Sequence, residues 1–256
     1  YDLGVLGIGD YEVTVIYNGN AKYNATNITK TFSIGKISDY NVTLNTTDVV
    51  AGENSTLVII LPEDATGVVN VTVGKDSYKA NVTDGVASVK INSLIAGDYK
   101  VNVTYSGDKT YEVSNNVFNL AVNPMKVNLN ISDVVMFYRD GTRMVAILTD
   151  IKGNPIANAT VYFTINGKTY ARTTDTNGTA SLAINLISKI YNATILYNGS
   201  DIYNSAFKNA KVTVLSVIES YDLVKYYKNE SQYYATFLDK QGNPVANNTP
   251  VTFNIN

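Results

Sequence analysis

The sequence contains no cysteine and no histidine. Without cysteine the chain cannot form disulfide bonds, so its stability must come from packing. The usual zinc, haem and iron–sulfur sites, and the Ser-His and Cys-His arrangements of nucleophilic catalysis, need one of these two residue types. The sequence therefore excludes such sites within this chain, and we expect no metal and no other cofactor.

Charge and long apolar runs are also scarce. Only 16% of the residues are charged and the net charge is −2, which provides neither a basic field for nucleic acid nor a polyacidic tail. No apolar run approaches the roughly 20 residues of a membrane span, and no signal peptide opens the chain. Because Tyr1 is not an initiator methionine, we interpret the chain as an internal window of a longer protein, without nucleic-acid binding or membrane insertion in this window.

Strand-forming Val, Ile, Thr and Tyr are abundant, as are turn-forming Asn, Gly and Asp. One stretch occurs three times with variations in sequence. The spacing of its copies gives a period of roughly 90 residues, a size able to bury a modest core. The copies are IGDYEVTVIYNGNAKYNAT at 8–26, AGDYKVNVTYSGDKTYEVS at 96–114 and SKIYNATILYNGSDIYNSA at 188–206.

Each whole repeat contains seven short strand-like runs, separated by turn residues at intervals of about 8 to 12 positions. This pattern is typical of an immunoglobulin-like sandwich. The first strands are predicted at Tyr40–Asn45 and Lys126–Ser132, and Asn166-Gly167 predicts a type I′ hairpin. We therefore predict an all-β fold of tandem immunoglobulin-like β-sandwich modules. The predicted divisions are the C-terminal part of a module at 1–35, whole modules at 36–123 and 124–215, and the first three strands of another at 216–256.

A longer motif links the second whole module to the end of the chain. The sequence GNPIANATVYFTINGKTYARTTDTNGTASLAI at 153–184 is repeated in truncated form from Gly242. Together with the tyrosine-rich stretches, it resembles the immunoglobulin-like repeats of large adhesin-like surface proteins, above all those of methanogenic archaea. The pattern is also similar to the tandem modules of bacterial invasin-like adhesins. The resemblance covers nearly the whole chain and implies an extracellular, cell-surface location, although the first whole module has PEDATG at 62–67 in place of the GNP motif.

Tyrosines near the start of each penultimate strand have two interpretations. In an immunoglobulin-like sandwich such a residue forms a tyrosine corner, whose hydroxyl bonds to the backbone. We predict structural corners at Tyr11, Tyr99 and Tyr191, and the alternative is an exposed surface for sugar or protein contact. A denser patch in the third module is a candidate binding surface, of which strand alternation would turn half inward. It comprises Tyr226, Tyr227, Tyr233 and Tyr234.

Asn-x-Ser/Thr sequons, the acceptor pattern for N-glycosylation, occur about three times as often as random pairing of this chain's residues would give. Either the asparagines carry glycans, or Asn and Thr two positions apart simply share the solvent face of a strand. In both cases the Asn side chains should point outward. The candidate N-glycosylation residues are Asn24, Asn27, Asn41, Asn45, Asn54, Asn70, Asn81, Asn102, Asn130, Asn158, Asn177, Asn192, Asn198, Asn229 and Asn247.

Acidic turn residues are candidate calcium ligands. Asp84, Asp108 and Asp175 each lie beside or near a glycine. None has the charge density or spacing of a dedicated calcium loop. Plain turns explain these residues better.

A Lys–Asn isopeptide bond is a further candidate, because surface sandwiches use such cross-links. Lys126 with Asn209, or Lys36 with Asn119, would be the pairs. The reaction needs a buried carboxyl, and no acid faces clearly inward in mid-strand. Solvated Lys and Asn are therefore favoured.

The predicted function is structural rather than catalytic. The acids lie mostly in turns, and a repeat has no reason to carry the unique carboxylate pair of a glycoside hydrolase. We predict the stalk or shaft of a large cell-surface adhesin-like protein, since reach grows with module number while each module folds locally. One alternative is that the modules themselves bind host or partner glycans or proteins. Another is a filament subunit that assembles head to tail by strand complementation. The expected partners are neighbouring immunoglobulin-like modules of the same or adjacent chains, and cell-surface glycans or proteins.

Overall fold

A computed structural model describes residues 1–255. The chain divides into two compact units, one covering Tyr1–Asn123 and the other beginning at Pro124. The described residues include no helix able to cross a membrane. The strands are β1 Gly9–Tyr17, β2 Thr26–Ile34, β3 Thr43–Thr46, β4 Val49–Val50, β5 Ser55–Ile60, β6 Val68–Val73, β7 Asp76–Asn81, β8 Val86–Ile91, β9 Gly97–Tyr105, β10 Ser114–Asn123, β11 Val127–Ile131, β12 Val134–Phe137, β13 Arg143–Asp150, β14 Thr160–Ile165, β15 Lys168–Thr173, β16 Thr179–Ala183, β17 Lys189–Tyr197, β18 Ala206–Leu215, β19 Ile218–Ser220 and β20 Ala235–Phe237.

The first unit contains a complete two-layer sandwich, which we name sandwich 1 (residues 36–123). One layer is a three-stranded sheet in the order β3-β5-β8, and the other is a five-stranded sheet in the order β4-β10-β9-β6-β7. Neighbouring strands are antiparallel except β4, which runs parallel to β10. The β1–β2 hairpin precedes this sandwich in the same unit.

The second unit contains sandwich 2 (residues 124–215), which repeats this topology. Its three-stranded sheet has the order β11-β13-β16, and its five-stranded sheet has the order β12-β18-β17-β14-β15. Here β12 runs parallel to β18. The prediction is confirmed: the protein is all-β and is built from tandem immunoglobulin-like β-sandwiches.

Strict alternation along the strands forms the cores. In β9, Val101, Val103 and Tyr105 are buried, whereas Lys100 and Asn102 are exposed, because successive side chains point to opposite faces of a sheet. Burying one Val, Leu or Ile contributes roughly 1.5–3 kcal/mol relative to leaving it exposed. The largest fully buried side chains include Tyr105, Phe163, Leu57, Ile59, Ile91, Met144, Leu148 and Ile195.

The first strand of each sandwich differs from the prediction, because it is split between the two sheets. The single strand predicted at Tyr40–Asn45 is replaced by β3, which pairs with β5, and β4, which pairs with β10. The prediction at Lys126–Ser132 covers β11 only, and β12 joins the other sheet. Asp133 marks this crossing, and its Oδ1 accepts the backbone N–H of Lys211 in β18 at 2.8 Å. Sequence periodicity does not report which sheet a strand joins, so the split was missed.

Two tight hairpin turns have the left-handed backbone that their sequences require. Asn166 has φ of 50° and Gly167 has φ of 70°, which confirms the predicted type I′ turn between β14 and β15. Asp84 and Gly85 show the same pair of positive angles, 49° and 70°. Positive φ at both central residues favours Asn or Asp followed by Gly.

Residues 216–255 contain two strands rather than the three predicted for 216–256. Strand β19 pairs antiparallel with β20, and Leu238 makes an isolated bridge with Pro244. The described residues after Pro244 form no strand.

Candidate functional site

Each of the three predicted corner tyrosines makes the same kind of hydrogen bond. Each hydroxyl donates to the backbone carbonyl four residues upstream, at the end of the sheet where its strand begins. This bond fixes the ring against the connecting loop, which supports a structural role. The distances are 2.7 Å from Tyr11 Oη to Gly7 O, 3.1 Å from Tyr99 Oη to Ile95 O, and 3.0 Å from Tyr191 Oη to Ile187 O.

The opposite end of the same strands carries a second repeated turn. In each copy a glycine precedes a polar residue whose side chain accepts backbone N–H groups two and three residues further on. Gly107 has φ of +67°, and a Cβ there would lie 2.9 Å from Tyr111 O, so the turn requires glycine. The accepting atoms are Asn20 Oδ1, from Lys22 and Tyr23, Asp108 Oδ1, from Thr110 and Tyr111, and Ser200 Oγ, from Ile202 and Tyr203.

In sandwich 1 the turn residue also holds a second loop. Asp108 Oδ2 accepts the backbone N–H of Thr66 at 2.8 Å and its hydroxyl at 3.1 Å. Tyr105 Oη donates to Thr66 O at 2.5 Å, and Tyr111 Oη donates to Asp64 Oδ1 at 2.6 Å. Two carboxylates and two tyrosine hydroxyls therefore tie the β5–β6 loop to the β9–β10 loop.

Burial and hydrogen bonding displace the pKa values in this cluster. Burial raises the pKa of Asp108, but the N–H groups of Thr66, Tyr111 and Thr110 outweigh it, so the pKa lies well below the usual range of a carboxyl. Burial, followed by the neighbouring Asp108, raises the pKa of Tyr105 well above that of free tyrosine. At neutral pH the carboxylate is ionised and the phenol is protonated.

In sandwich 2 the corresponding β13–β14 loop is held by hydrogen bonds to the aspartate at its start. Asp150 is buried and accepts the N–H groups of Lys152 and Asn154 at Oδ1 and the Asn154 side-chain amide at Oδ2, each at 2.8 Å. Burial raises the pKa of Asp150, but these donors, with the N–H of Gly153, lower it below its usual range. The aspartate thus caps its own loop.

Thr174 closes the other end of this loop. Its side chain is buried, donates to Ile156 O at 2.7 Å and accepts the Ala159 N–H at 2.9 Å. Sequence reasoning missed this threonine, because nothing in its neighbourhood distinguishes it from the exposed threonines of the strands. The equivalent residue of sandwich 1 is the buried Val82, so the polar clamp belongs to sandwich 2.

The GNP loop recurs with the same geometry near the end of the chain. Asp239 Oδ1 accepts the N–H groups of Gln241 and Asn243 at 2.9 Å and 2.8 Å. These bonds reproduce those of Asp150 in sandwich 2. The repeated sequence of the motif therefore encodes a repeated local structure.

The acidic residues proposed as calcium ligands serve turns. Asp175 Oδ1 accepts the N–H groups of Asn177 and Thr179, both at 2.9 Å, and Asp84 occupies its type I′ turn. No cluster of three or more acidic side chains suited to a metal ion occurs among the described residues. Turn capping accounts for the position of Asp175.

The residues proposed for an isopeptide bond have other partners. Lys36 Nζ donates to the backbone carbonyl of Asp108 at 2.5 Å, and Asn119 Oδ1 accepts from Lys100 Nζ at 2.5 Å. Asn209 Oδ1 accepts from the hydroxyl of Thr194 at 3.0 Å. These contacts do not bring Lys36 and Asn119 together.

The sequon asparagines are exposed, with the exception of Asn229, which is half-buried. Asn229 Oδ1 accepts the N–H of Ser231 at 3.0 Å. Asn70, Asn102 and Asn192 lie in strands of the five-stranded sheets, on the faces turned away from the cores. An outward position is required by both interpretations of the sequons, and glycosylation stays a prediction.

The four candidate binding tyrosines lie outside regular strands and are all exposed, whereas strand alternation predicted that half would face inward. Tyr227 and Tyr234 are 91% and 75% exposed. When the two GNP motifs are aligned at Asp150 and Asp239, Tyr233 corresponds in sequence to Met144, which is fully buried in sandwich 2. Of these residues, Tyr227 and Tyr234 are therefore the better candidates for ligand contact.

A partly exposed apolar row on sandwich 2 was not predicted. Tyr162, Leu196 and Phe207 are cross-strand partners on the outer face of the five-stranded sheet, and Phe207 is 67% exposed. The signal was available in Ile195-Leu196-Tyr197, because alternation must turn the central residue of three apolar neighbours outward. At the same positions sandwich 1 has Asn70, Thr104 and Asn115, with Thr104 Oγ1 donating to Asn115 Oδ1 at 2.8 Å.

Comparison with known proteins gives a partial match. No family model matches the sequence. The chain is 26% identical to part of the inverse autotransporter adhesin YeeJ of Escherichia coli strain K12. The similar region covers 75% of this chain but only 9% of that much longer protein. The predicted resemblance to adhesin repeats therefore has support from a bacterial adhesin, and an archaeal origin stays a prediction.

Solved structures of two bacterial proteins are similar at low identity. Invasin, a bacterial integrin-binding protein, is 14% identical with a TM-score of 0.43, over 81% of this chain and 48% of that one. A Ca²⁺-stabilised ice-binding adhesin of an Antarctic bacterium is 16% identical with a TM-score of 0.29, over 80% and 56% of the two chains. With TM-scores below 0.5, these likenesses do not argue for a ligand or a partner.

Proposed function

We propose that this chain is a segment of an extracellular surface protein in which tandem sandwiches form a shaft. The observation that carries the proposal is the repetition of one complete topology, including the split first strand, in both sandwiches. Similarity to part of an adhesin supports a cell-surface location. In this proposal the chain has no catalytic role.

Local folding is what makes such a repeat useful as a shaft. The strands of each sandwich pair within that sandwich, and only 124–126 lie between the last strand of sandwich 1 and the first strand of sandwich 2. Each added module therefore extends the chain without a new fold, and stability is close to a sum over modules and their neighbours. A shaft of this kind would present a more distal part of the protein.

Single-molecule stretching of the chain tests the proposal. Each sandwich should unfold as a separate event, and about 90 residues at about 3.6 Å each should release roughly 300 Å of length per event. Two such events in each trace are expected. A single event that releases both sandwiches together would contradict a shaft of independently folding modules.

A second candidate function is ligand binding by the modules themselves, favoured by the exposed rings of Tyr227 and Tyr234. Tyrosine offers a flat apolar face and a hydroxyl to a sugar or protein. A glycan array and a pull-down with the whole chain test this candidate. Saturable binding that Tyr227→Ala and Tyr234→Ala abolish would favour it, whereas loss with Tyr99→Phe alone would indicate a folding defect instead.

A further inference from the structure

One glycine of the repeated GNP motif is packed against an aromatic ring, and its counterpart is not. A Cβ at Gly242 would lie 2.7 Å from both Cε2 and Cζ of Phe137. A Cβ at Gly153, the same position of the motif in sandwich 2, would have no heavy atom beyond its chain neighbours within 4 Å. Both glycines have left-handed backbone, with φ of +80° at Gly242 and +89° at Gly153. Of the two, only Gly242 is therefore required for a close approach as well as for its φ.

This contact joins sandwich 2 to the segment that follows it. Phe137 is the last residue of β12 and pairs with Leu215, the last residue of β18. Gly242 lies in the loop after β20. Only 216–217 separate β18 from β19, and both partners of the contact belong to the same compact unit. The ring therefore lies at the junction between sandwich 2 and residues 216–255.

A capped turn holds the backbone of Phe137 on sandwich 2. The N–H of Phe137 donates to Asp140 Oδ2 at 2.9 Å, and the N–H of Thr142 donates to Asp140 Oδ1 at 2.8 Å. The N–H of Asp140 donates in turn to Phe137 O at 3.3 Å. Since an aspartate that accepts nearby N–H groups stabilises a turn, the main chain that carries the ring has a fixed position.

The loop that receives the ring is held in the same manner. Asp239 Oδ1 accepts the N–H groups of Gln241 and Asn243, the residues on either side of Gly242. The N–H of Gly242 donates to Asp239 O at 3.0 Å. Because the backbone is fixed on both sides, the contact between Phe137 and Gly242 needs little additional ordering of the chain.

The sandwich itself does not require an aromatic residue at this place. Sandwich 1 has Val50 at the position of Phe137, since Val50 pairs with Asn123 and Phe137 pairs with Leu215 at the ends of the equivalent strands. Valine suits a strand as well as phenylalanine does, and the Phe137 side chain is only half-buried. Its contact with Gly242 accounts for the larger side chain in sandwich 2.

We propose that Phe137 and the GNP loop around Gly242 form a joint that limits bending between sandwich 2 and the segment that follows it. The partner of Phe137 is thus the next part of the same chain, which receives the ring at a glycine because any side chain there would meet it. The short connection at 216–217 limits how far the two parts can separate, and the joint limits their angle. This inference rests on the proposed shaft function and deepens it, since a shaft keeps its reach only if neighbouring modules keep their angle.

Distance measurement between two spin labels on the whole chain tests the joint. Because the sequence has no cysteine, labels attach only at Ala171→Cys in β15 and Thr236→Cys in β20, both exposed positions. A single narrow distance distribution is expected. It should be lost in Phe137→Val, which introduces the residue of sandwich 1, and in Gly242→Ala. Gly153→Ala is the matched control, since it strains the same backbone conformation without meeting a ring, and it should leave the distribution narrow.

The NMR signals of the Gly242 Hα protons provide a second measurement, because a ring in contact displaces them by its ring current. Phe137→Val should remove this displacement and leave the Gly153 signals unchanged. A broad distance distribution in the labelled chain without further substitutions would overturn the joint, as would equal broadening by Gly242→Ala and Gly153→Ala. Failure of the joint would still leave two separate unfolding events when the chain is stretched, whereas failure of the shaft proposal appears as a single event.

Discussion

Sandwich 1 and sandwich 2 share their topology but stabilise the same end of the fold in different ways. In sandwich 1, Asp108 joins two loops that are 42 residues apart in sequence. In sandwich 2, Ser200 occupies the equivalent turn and caps only its own loop, while Asp150 and Thr174 hold the GNP loop. One sandwich depends on a contact between loops, and the other on a local clamp at Asp150 and on Thr174, which bonds to residues 15 and 18 positions away.

This comparison separates the parts of the module that are fixed from those that vary. The tyrosine corner and the glycine turn recur in every copy because they shape the backbone at the two ends of the same hairpin. The loop between the second and third main strands varies in length and in stabilising residues, at 61–67 in sandwich 1 and 151–159 in sandwich 2. The residues that hold this end of the module therefore differ between the two copies.

The largest expected effect comes from the residue that joins the two loops. Asp108→Ala should lower the free energy of unfolding of sandwich 1 by about 3 kcal/mol, since it leaves several backbone N–H groups without their charged acceptor. Ser200→Ala, at the same position of sandwich 2, should cost about 1 kcal/mol. Native-state hydrogen exchange on the whole chain measures both sandwiches in one sample. Equal losses would contradict the distinction between the two devices.

The local clamp of sandwich 2 should produce the next largest effect. Asp150→Ala should destabilise sandwich 2 by about 2 kcal/mol, because two backbone N–H groups and one side-chain amide lose their acceptor. Hydrogen exchange of 151–159 should accelerate while sandwich 1 is unchanged. Glu63→Ala, in the corresponding loop of sandwich 1, is the control and should have little effect, since its side chain is exposed.

Low pH should destabilise sandwich 1 by protonating the Asp108 carboxylate. The pKa of Asp108 in the folded state is lowered, whereas an unfolded aspartate titrates near about 3.9. Its contribution is therefore present above about pH 4 and is lost as the pH falls towards the folded-state value. Acid unfolding followed by circular dichroism should show a steeper loss for the natural chain than for Asp108→Asn. Parallel curves would mean that this carboxylate does not carry the acid sensitivity.

The smallest expected effect is that of removing a tyrosine-corner hydroxyl, and the loss of stability should be equal in the two sandwiches. Tyr99→Phe and Tyr191→Phe each remove one hydrogen bond to a carbonyl, with donor–acceptor distances of 3.1 Å and 3.0 Å, and should each cost about 1 kcal/mol. Tyr162→Phe on the outer sheet face is the control and should be nearly neutral. Unequal losses at the two corners would show that this end of the module also differs between sandwiches.

Many features of the fold could be predicted because they are local in sequence. Alternating residues of β9 and β17 determine which side chains face the core, and Asn166-Gly167 determines the hairpin between β14 and β15. The repeated stretch around Tyr99 and Tyr191 predicted the corner residues, and their observed hydrogen bonds have the geometry that the prediction requires. These features depend on neighbours within a few positions.

The sequence by itself thus determined the all-β class and most strand positions, because periodicity and turn chemistry are short-range properties. Only the tertiary structure decided that the first strand divides between two sheets, that Asp108 reaches Thr66, and that Tyr162, Leu196 and Phe207 form one row. Each of these depends on strand register and on residues distant in sequence, which pattern alone does not encode.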